Sequence, residues 1–335
     1  MIDPKLRTHP RPFLPIRRQR TPIPHHVTVL LGTLILCLHT NPVARAHTLL
    51  ISSAQNHNVQ QYDDQAGGPP TVFVPYGSGG LSNPKGLTIG PDGNLYVCCA
   101  SDDNVLRYDD QTGAFIDVFV SAGSGGLDAP YGLTFGPDGD LYVCSFATDS
   151  VLRYDGQTGD FVETFVLGAS LNDPIALAFG PDGDLYVTNT QADTVVRYDG
   201  TNGQFDRIFV TSGLGGLDGP FGLVFGPDGN LYVGSFFTDN VLRFDAQTGN
   251  YMGPFVSSGI GGLNGTYDLT FGPDGNLHVS SFFTNSVLQY DGQTGDFITG
   301  TCTPVGLPTF LVCVPEPPVL VLLAFGIATL RQRPH

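Results

Sequence analysis

Tryptophan is absent from this 335-residue chain, and methionine occurs only at positions 1 and 252. Glutamate is confined to Glu163 and Glu316, and lysine to Lys5 and Lys85. These shortages remove most of the residues that favour helices, so a helical architecture has little to build from. Long apolar runs are also missing. The two most apolar stretches, 27–38 and 318–330, are both shorter than the ~20 residues a membrane-spanning helix needs. What the chain does have is 44 glycines and 26 prolines. They punctuate short runs in which Val, Phe, Tyr and Thr alternate with polar residues, an all-β composition. At 41% hydrophobic residues the chain is too apolar for disorder.

Basic charge is scarce where it would matter for nucleic acid. Residues 47–315 hold six basic residues against 29 acidic ones. A body this acidic repels phosphate backbones, which excludes nucleic acid as a partner. It is compatible with cations, basic partners or neutral sugars. Aspartate is also a preferred turn residue, and the charge follows from that preference alone.

The chain repeats itself. Pro-Asp-Gly recurs at 91–93, 137–139, 181–183, 227–229 and 273–275, in steps of 46, 44, 46 and 46 residues. Each unit has four short apolar runs separated by turns. In residues 128–166 these are Gly132–Phe135, Leu141–Ser145, Val151–Tyr154 and Phe161–Val166. Pro137-Asp138-Gly139 and Asp155-Gly-Gln-Thr-Gly159 are the tight turns between them. Four strands per unit at this period define a β-propeller blade. The opening group, with Leu49–Ser53, Asn58–Asp63 and Thr71–Val74, lacks a first strand. Pro304-Val-Gly-Leu307 matches the first-strand phrase Pro130-Tyr-Gly-Leu133 and is expected to supply it. Five whole blades and one split blade make six, and pairing the two ends of the chain removes the exposed strand edges.

The phrase Pro-x-Gly-Leu-x-Phe-Gly-Pro-Asp-Gly-Asn-Leu-Tyr-Val, followed by Asn-Val-Leu-Arg-Tyr-Asp, resembles the NHL repeat and the gluconolactonase-like, TolB-like six-bladed propellers over about residues 48–300. WD repeats are excluded, since their Trp-Asp pair cannot exist here. The resemblance implies six blades of four antiparallel strands. Lactonase-like members imply a divalent metal held by Glu, Asn and Asp at the channel mouth, and streptogramin lyases a His and Glu near a metal. Neither set can be placed on this sequence. Glu163 falls in an outer strand, Glu316 near the C-terminus, and the body's histidines are His47, His57 and His278. His278 stands where other units carry a strand tyrosine (Tyr96, Tyr142, Tyr186, Tyr232).

The ends of the chain read as addresses. Arg17, Arg18 and Arg20 precede the apolar run Val27–Leu38, and Ala44-Arg45-Ala46 follows it. That order matches a secretory signal peptide with a long basic lead, cleaved after Ala46. At the other end Pro315-Glu316-Pro317, an apolar segment and Arg331 with Arg333 resemble the PEP-CTERM sorting signal. That family implies export in a Gram-negative bacterium, cleavage by an exosortase, transient or C-terminal membrane association, and exopolysaccharide at the cell surface. The expected division is therefore 1–46 signal peptide, 47–313 propeller, 314–335 sorting signal. Cys37 leaves with the signal, so Cys98, Cys99, Cys144, Cys302 and Cys313 remain, an odd number that cannot all pair internally. Cys302 and Cys313 flank the last apolar segment and could staple it.

Propellers bind at one mouth of the central channel. The residue after the first-strand proline varies from unit to unit while its surroundings are nearly copied: Lys85, Tyr131, Ile175, Phe221, Tyr267 and, in the expected closing strand, Val305. Aromatic groups with one lysine suit stacking on a sugar or a small apolar ring. A second series, Asp102-Asp-Asn104, Thr148-Asp-Ser150, Ala192-Asp-Thr194, Thr238-Asp-Asn240 and Thr284-Asn-Ser286, offers oxygen ligands for Ca²⁺ or, alternatively, loop caps. Arg107, Arg153, Arg197 and Arg243, each two residues ahead of an Asp, are expected to form surface ion pairs. No catalytic set and no metal set stands out. The sequence therefore reads as a non-catalytic exported propeller binding a ligand, an exopolysaccharide or another surface protein. An acidic matrix protein and a metal-dependent lactonase or lyase are the alternatives.

Overall fold

A computed structural model describes residues 47–63, 68–168, 170–301 and 305–315. The signal-peptide reading, most of the sorting-signal reading and Cys302 of the suggested staple lie outside the described residues.

Each Pro-Asp-Gly is a hairpin turn between the first and second strands of a blade. In the first of them Asn94 donates its backbone N–H to Asp92 Oδ1 at 3.0 Å, and Gly93 takes the left-handed φ of 79° that closes the turn. The second strand then runs back antiparallel, and two further hairpins add the third and fourth. Blade 2 comprises Pro84–Ile89, Leu95–Cys99, Asn104–Tyr108 and Phe115–Val120. The pattern repeats through six four-stranded sheets. Innermost strands Pro84–Ile89, Pro130–Phe135, Pro174–Phe179, Pro220–Phe225 and Thr266–Phe271 belong to blades 2–6. The second strands are buried at every position, as expected for strands covered on both faces.

Blade 1 is the split one. Its second to fourth strands are His47–Ser53, Asn58–Asp63 and Thr71–Val74, and its innermost strand is Pro308–Pro315 from the far end of the chain. That strand pairs antiparallel with His47–Ser53, from Ser53 opposite Pro308 to His47 opposite Pro315. The ring is closed as expected, but by a strand four residues later than the Pro304 phrase suggests. Val305 and Leu307 lie in the turn before it. There Gly306 (φ 76°) and Leu307 (φ 54°) are left-handed, and their carbonyls accept N–H bonds from Gln55 and Ala54. Pro308, opposite Ser53, occupies the place that Pro130, opposite Ser145, has in blade 3. The channel-mouth position of blade 1 is therefore Thr309, not Val305.

Neighbouring blades are held at three radii. At the axis the innermost strands come close enough that a Cβ on Gly132 would stand 2.5 Å from the Ile175 carbonyl oxygen. This close approach is why the Pro-x-Gly-Leu glycine recurs. In the body of the blade, a second-strand tyrosine packs edge-to-face on two phenylalanines. Tyr142 lies 4.8 Å from Phe165 of its own outer strand and 5.0 Å from Phe179 of the next blade. Such pairs are worth about 0.5–1.5 kcal/mol beyond area burial. His278 takes the tyrosine's place in blade 6 and is buried. The three cysteines Cys98, Cys99 and Cys144 are buried free thiols.

The third link runs round the mouth. The loop between second and third strands holds a left-handed residue whose side chain accepts the backbone N–H just ahead of the next blade's innermost strand. Asp103 accepts from Ala129 at 2.8 Å, Asp149 from Asp173 at 2.8 Å, and Asp193 from Gly219 at 2.7 Å. Asp239 accepts from Gly265 at 2.6 Å, Asn285 from Leu307 at 2.8 Å, and His57 Nδ1 from Asn83 at 3.1 Å. All six acceptors and all six donors have positive φ. Replacing Asp149 by Ala removes a hydrogen bond to a charged acceptor and puts Cβ strain at φ 50° with no side-chain compensation. Asp149→Ala is expected to lower unfolding free energy by about 2–3 kcal/mol and Asp149→Asn by less than about 1 kcal/mol, since Asn keeps the acceptor and tolerates the conformation. Urea denaturation of the two variants checks this; equal losses would mean that the side-chain oxygen is idle.

Candidate functional site

The start of each innermost strand and the loop after each second strand share one end of the channel, because Pro220 pairs with Ser235 and Pro130 with Ser145. The variable position therefore meets the first loop residue of its own blade. Tyr131 stacks on Phe146 at 4.6 Å and 27°, and Phe221 on Phe236 at 4.4 Å and 16°. Tyr267 stacks on Phe282 at 5.5 Å and 25°, and meets Phe221 edge-on at 4.9 Å. Phe310 of the closing strand adds a further edge contact to Tyr267 at 5.6 Å. A continuous aromatic wall thus covers blades 5, 6 and 1, with a second patch on blade 3.

Access differs among the five sequence-predicted residues. Lys85, Tyr131 and Phe221 are half-buried, whereas Ile175 and Tyr267 are buried. The Lys85 ammonium lies over the Tyr131 ring, 5.1 Å from its centroid, and burial lowers its pKa to about 8. Burial also raises the Tyr131 phenol, and holds Tyr267 protonated far above the ordinary tyrosine range.

Sequence reasoning missed the loop aromatics. Phe146, Phe236 and Phe282 lie directly after the second strand, two residues before the polar triplets at 148–150, 238–240 and 284–286. Two more, Phe237 and Phe283, are 64% and 57% exposed on the rim of blades 5 and 6. Each ring lies over a left-handed glycine ahead of its own blade's innermost strand. A Cβ on Gly219 would stand 2.5 Å from the Phe237 ring, and one on Gly265 2.6 Å from that of Phe283. Blades without a rim phenylalanine carry Asn83, Ala129, Asp173 or, in blade 1, Leu307 at that place.

One layer deeper a cavity of about 110 Å³ lies on the axis, among Leu87, Leu133, Leu177, Leu223, Leu269 and Leu311. Asp268 lines it, in the place that Gly86, Gly132 and Gly222 hold in other blades. The side chain is 8% exposed, and its Oδ2 accepts the Leu311 backbone N–H of the closing strand at 2.9 Å. Gly222 makes room for the other oxygen, since a Cβ there would lie 2.6 Å from Oδ1. Burial pushes the carboxyl up to about 7, against the pull of the Leu311 and Leu269 N–H groups. The sequence reading found no asymmetric titratable group. Asp268 is one, and the break from Pro-x-Gly-Leu to Thr266-Tyr-Asp-Leu269 was its signal.

The middle residue of each triplet considered for Ca²⁺ is one of the inter-blade caps described above. Among the described residues no three His, Cys, Asp or Glu side chains form a metal-holding group. The arginines do not pair with the aspartates two residues on, which instead cap turns: Asp155 Oδ1 accepts the Thr158 N–H at 2.8 Å. Arg153 reaches across strands to Asp138, Asp140 and Glu163, and Arg197 to Asp182 and Asp184. These pairs line shallow clefts between blades on the face opposite the mouth, one of them of about 670 Å³ beside Asp182, Arg197 and Asp228.

No family model matches the chain, and no curated protein matches it. Solved structures share the fold. The chain is similar to one from the nidogen/laminin complex, with 16% identity and TM-score 0.64 over 80% of this chain and 98% of that one. Virginiamycin B lyase from Staphylococcus aureus is similar at 17% identity and TM-score 0.53, over 80% of each chain. A protein of unknown function from Bacteroides caccae is similar at 12% identity and TM-score 0.64, over 81% of this chain and all of that one. All three define a six-bladed propeller ring and nothing finer.

A carboxyl whose folded pKa lies above its unfolded value binds its proton more tightly in the native state. The native state is therefore favoured at low pH and loses stability as pH rises from about 4 to about 7. Tyr267, its charged-state neighbour, stays protonated throughout that window. Asp268→Asn keeps an acceptor for the Leu311 N–H but cannot ionise. Thermal melts at pH 5 and pH 7 are expected to show the variant's gain on the native chain growing between the two values, and largest at pH 7. An equal difference at both values would refute an ionising Asp268.

Proposed function

We propose that this chain is an exported surface propeller that binds a ring-bearing ligand or partner at its aromatic mouth and does no chemistry on it. The observation that carries the reading is the convergence of Tyr131, Phe146, Phe221, Phe236, Tyr267 and Phe282 on one end of the channel. These residues come from positions where otherwise near-identical repeats differ. Flat rings in fixed rotamers bind with little loss of side-chain entropy. Asp268 is the group nearest to a catalytic acid or base, and it serves as a clamp on the closing strand. The similar structure from the nidogen/laminin complex is compatible with a binding role, and the similar virginiamycin B lyase shows that propellers of this shape also serve enzymes. Exopolysaccharide or another surface protein is the partner this reading favours, and an exosortase is the sorting partner. The location is the cell envelope or the exterior of a Gram-negative cell.

Two experiments test this. In a glycan-array or exopolysaccharide pull-down, Tyr131→Ala and Phe221→Ala are each expected to weaken binding about tenfold with the fold intact by circular dichroism. Retention equal to the native chain would remove the mouth as the site. Native protein is expected to begin at His47 by N-terminal sequencing; a preparation still carrying residues 1–46 would contradict export.

A further inference from the structure

Positive charge in the body is matched almost everywhere. Arg107, Arg153, Arg197, Arg207 and Arg243 each form an ion pair with at least one carboxylate. Lys85 is the sixth cation and the single lysine of residues 47–315. Among the described residues it has no carboxylate partner, although 29 acidic side chains share the same body. It is also not displayed in water like an ordinary surface lysine. It stands half-buried at the channel mouth, at the same strand position as Tyr131 and Phe221, with its ammonium against the Tyr131 ring. Placing a cation in a partly desolvated site without a counter-charge is unfavourable, and the lowered pKa is the expression of that. Other blades put Ile175, Phe221, Tyr267 or Thr309 there, so the fold does not need the charge.

We propose that Lys85 is the anchor for a carboxylate, and that the mouth selects ligands in which a six-membered ring carries one. The inference rests on the mouth being a binding site and adds the ligand's charge. The ammonium would donate to the carboxylate, a charge-assisted bond strengthened by partial burial. The attached ring would lie against the aromatic wall. An acidic sugar and an aromatic acid share this chemistry.

The test uses the full chain and two matched pairs of probes: methyl glucuronide with its uncharged glucuronamide, and phenylacetate with phenylacetamide. Affinities are read by calorimetry or NMR titration for the native protein, Lys85→Gln and Lys85→Arg. In at least one pair the acid is expected to bind about tenfold more tightly than its amide. Lys85→Gln should reduce the acid to the level of the amide and leave the amide unchanged, while Lys85→Arg retains most of the preference. The pair that responds says whether the ligand is sugar or aromatic. Equal binding of acid and amide, or an acid affinity untouched by Lys85→Gln, would overturn the proposal. Failure of both acids while Phe221→Ala still weakens glycan retention would overturn the anchor alone; failure of both acids with no effect of Phe221→Ala would remove the mouth as well.

Discussion

The ring depends on a hydrogen bond made six times, between one left-handed residue and another in the following blade. Neither conformation is favourable for a residue with a side chain. Each is held because the side chain of the first caps the backbone N–H of the second, so two strained positions stabilise one another. Aspartate and asparagine suit the first place because their short side chains reach the neighbouring backbone and tolerate the conformation. His57 does the same with Nδ1, which fixes its ring proton on Nε2. A single break would leave two blade edges without a cap, and this gives the closing strand its importance: Leu307, just ahead of it, donates the bond that completes the circle.

The acidity of the body follows from the same habit. Blade 3 spends Asp138 on its hairpin turn, Asp149 on the inter-blade cap and Asp155 on the outer turn. Repetition of this pattern accounts for about half of the 29 acidic residues of the body. Arginine partly offsets it on the face away from the mouth, where Arg197 lies within 3.0 Å of the Asp182 carboxylate and also bonds Asp184. The mouth combines the aromatic rings and the Lys85 ammonium with the surrounding cap carboxylates Asp103, Asp149, Asp193 and Asp239. The two faces of the propeller thus differ in kind: one is a mosaic of ion pairs between strands, the other an aromatic collar set among backbone-capping carboxylates.

Blade number, strand order and turn chemistry were legible because Pro, Asp and Gly mark backbone conformations that other residues adopt poorly. The variable position after the strand proline was legible as well, since the repeats themselves supply the contrast. Other features were not. Pro304-Val-Gly-Leu307 imitates the start of an innermost strand, yet only pairing with His47–Ser53 shows that Pro308 holds that place. Arginine partners could not be read from sequence neighbours, because the ion pairs run across strands that only the sheet brings together. Asp268 and the loop phenylalanines were visible as departures from the repeat, but which departures face the axis depends on how six blades converge.

Blade 1 has no Pro-Asp-Gly hairpin. At the corresponding end His47 lies opposite Pro315, where the described chain begins and ends. Both ends therefore leave the disc on its ion-paired underside, side by side, while Ser53 and Pro308 mark the collar end. A tether continuing from residue 315 would start from the face opposite the collar, beside the point where the described chain begins.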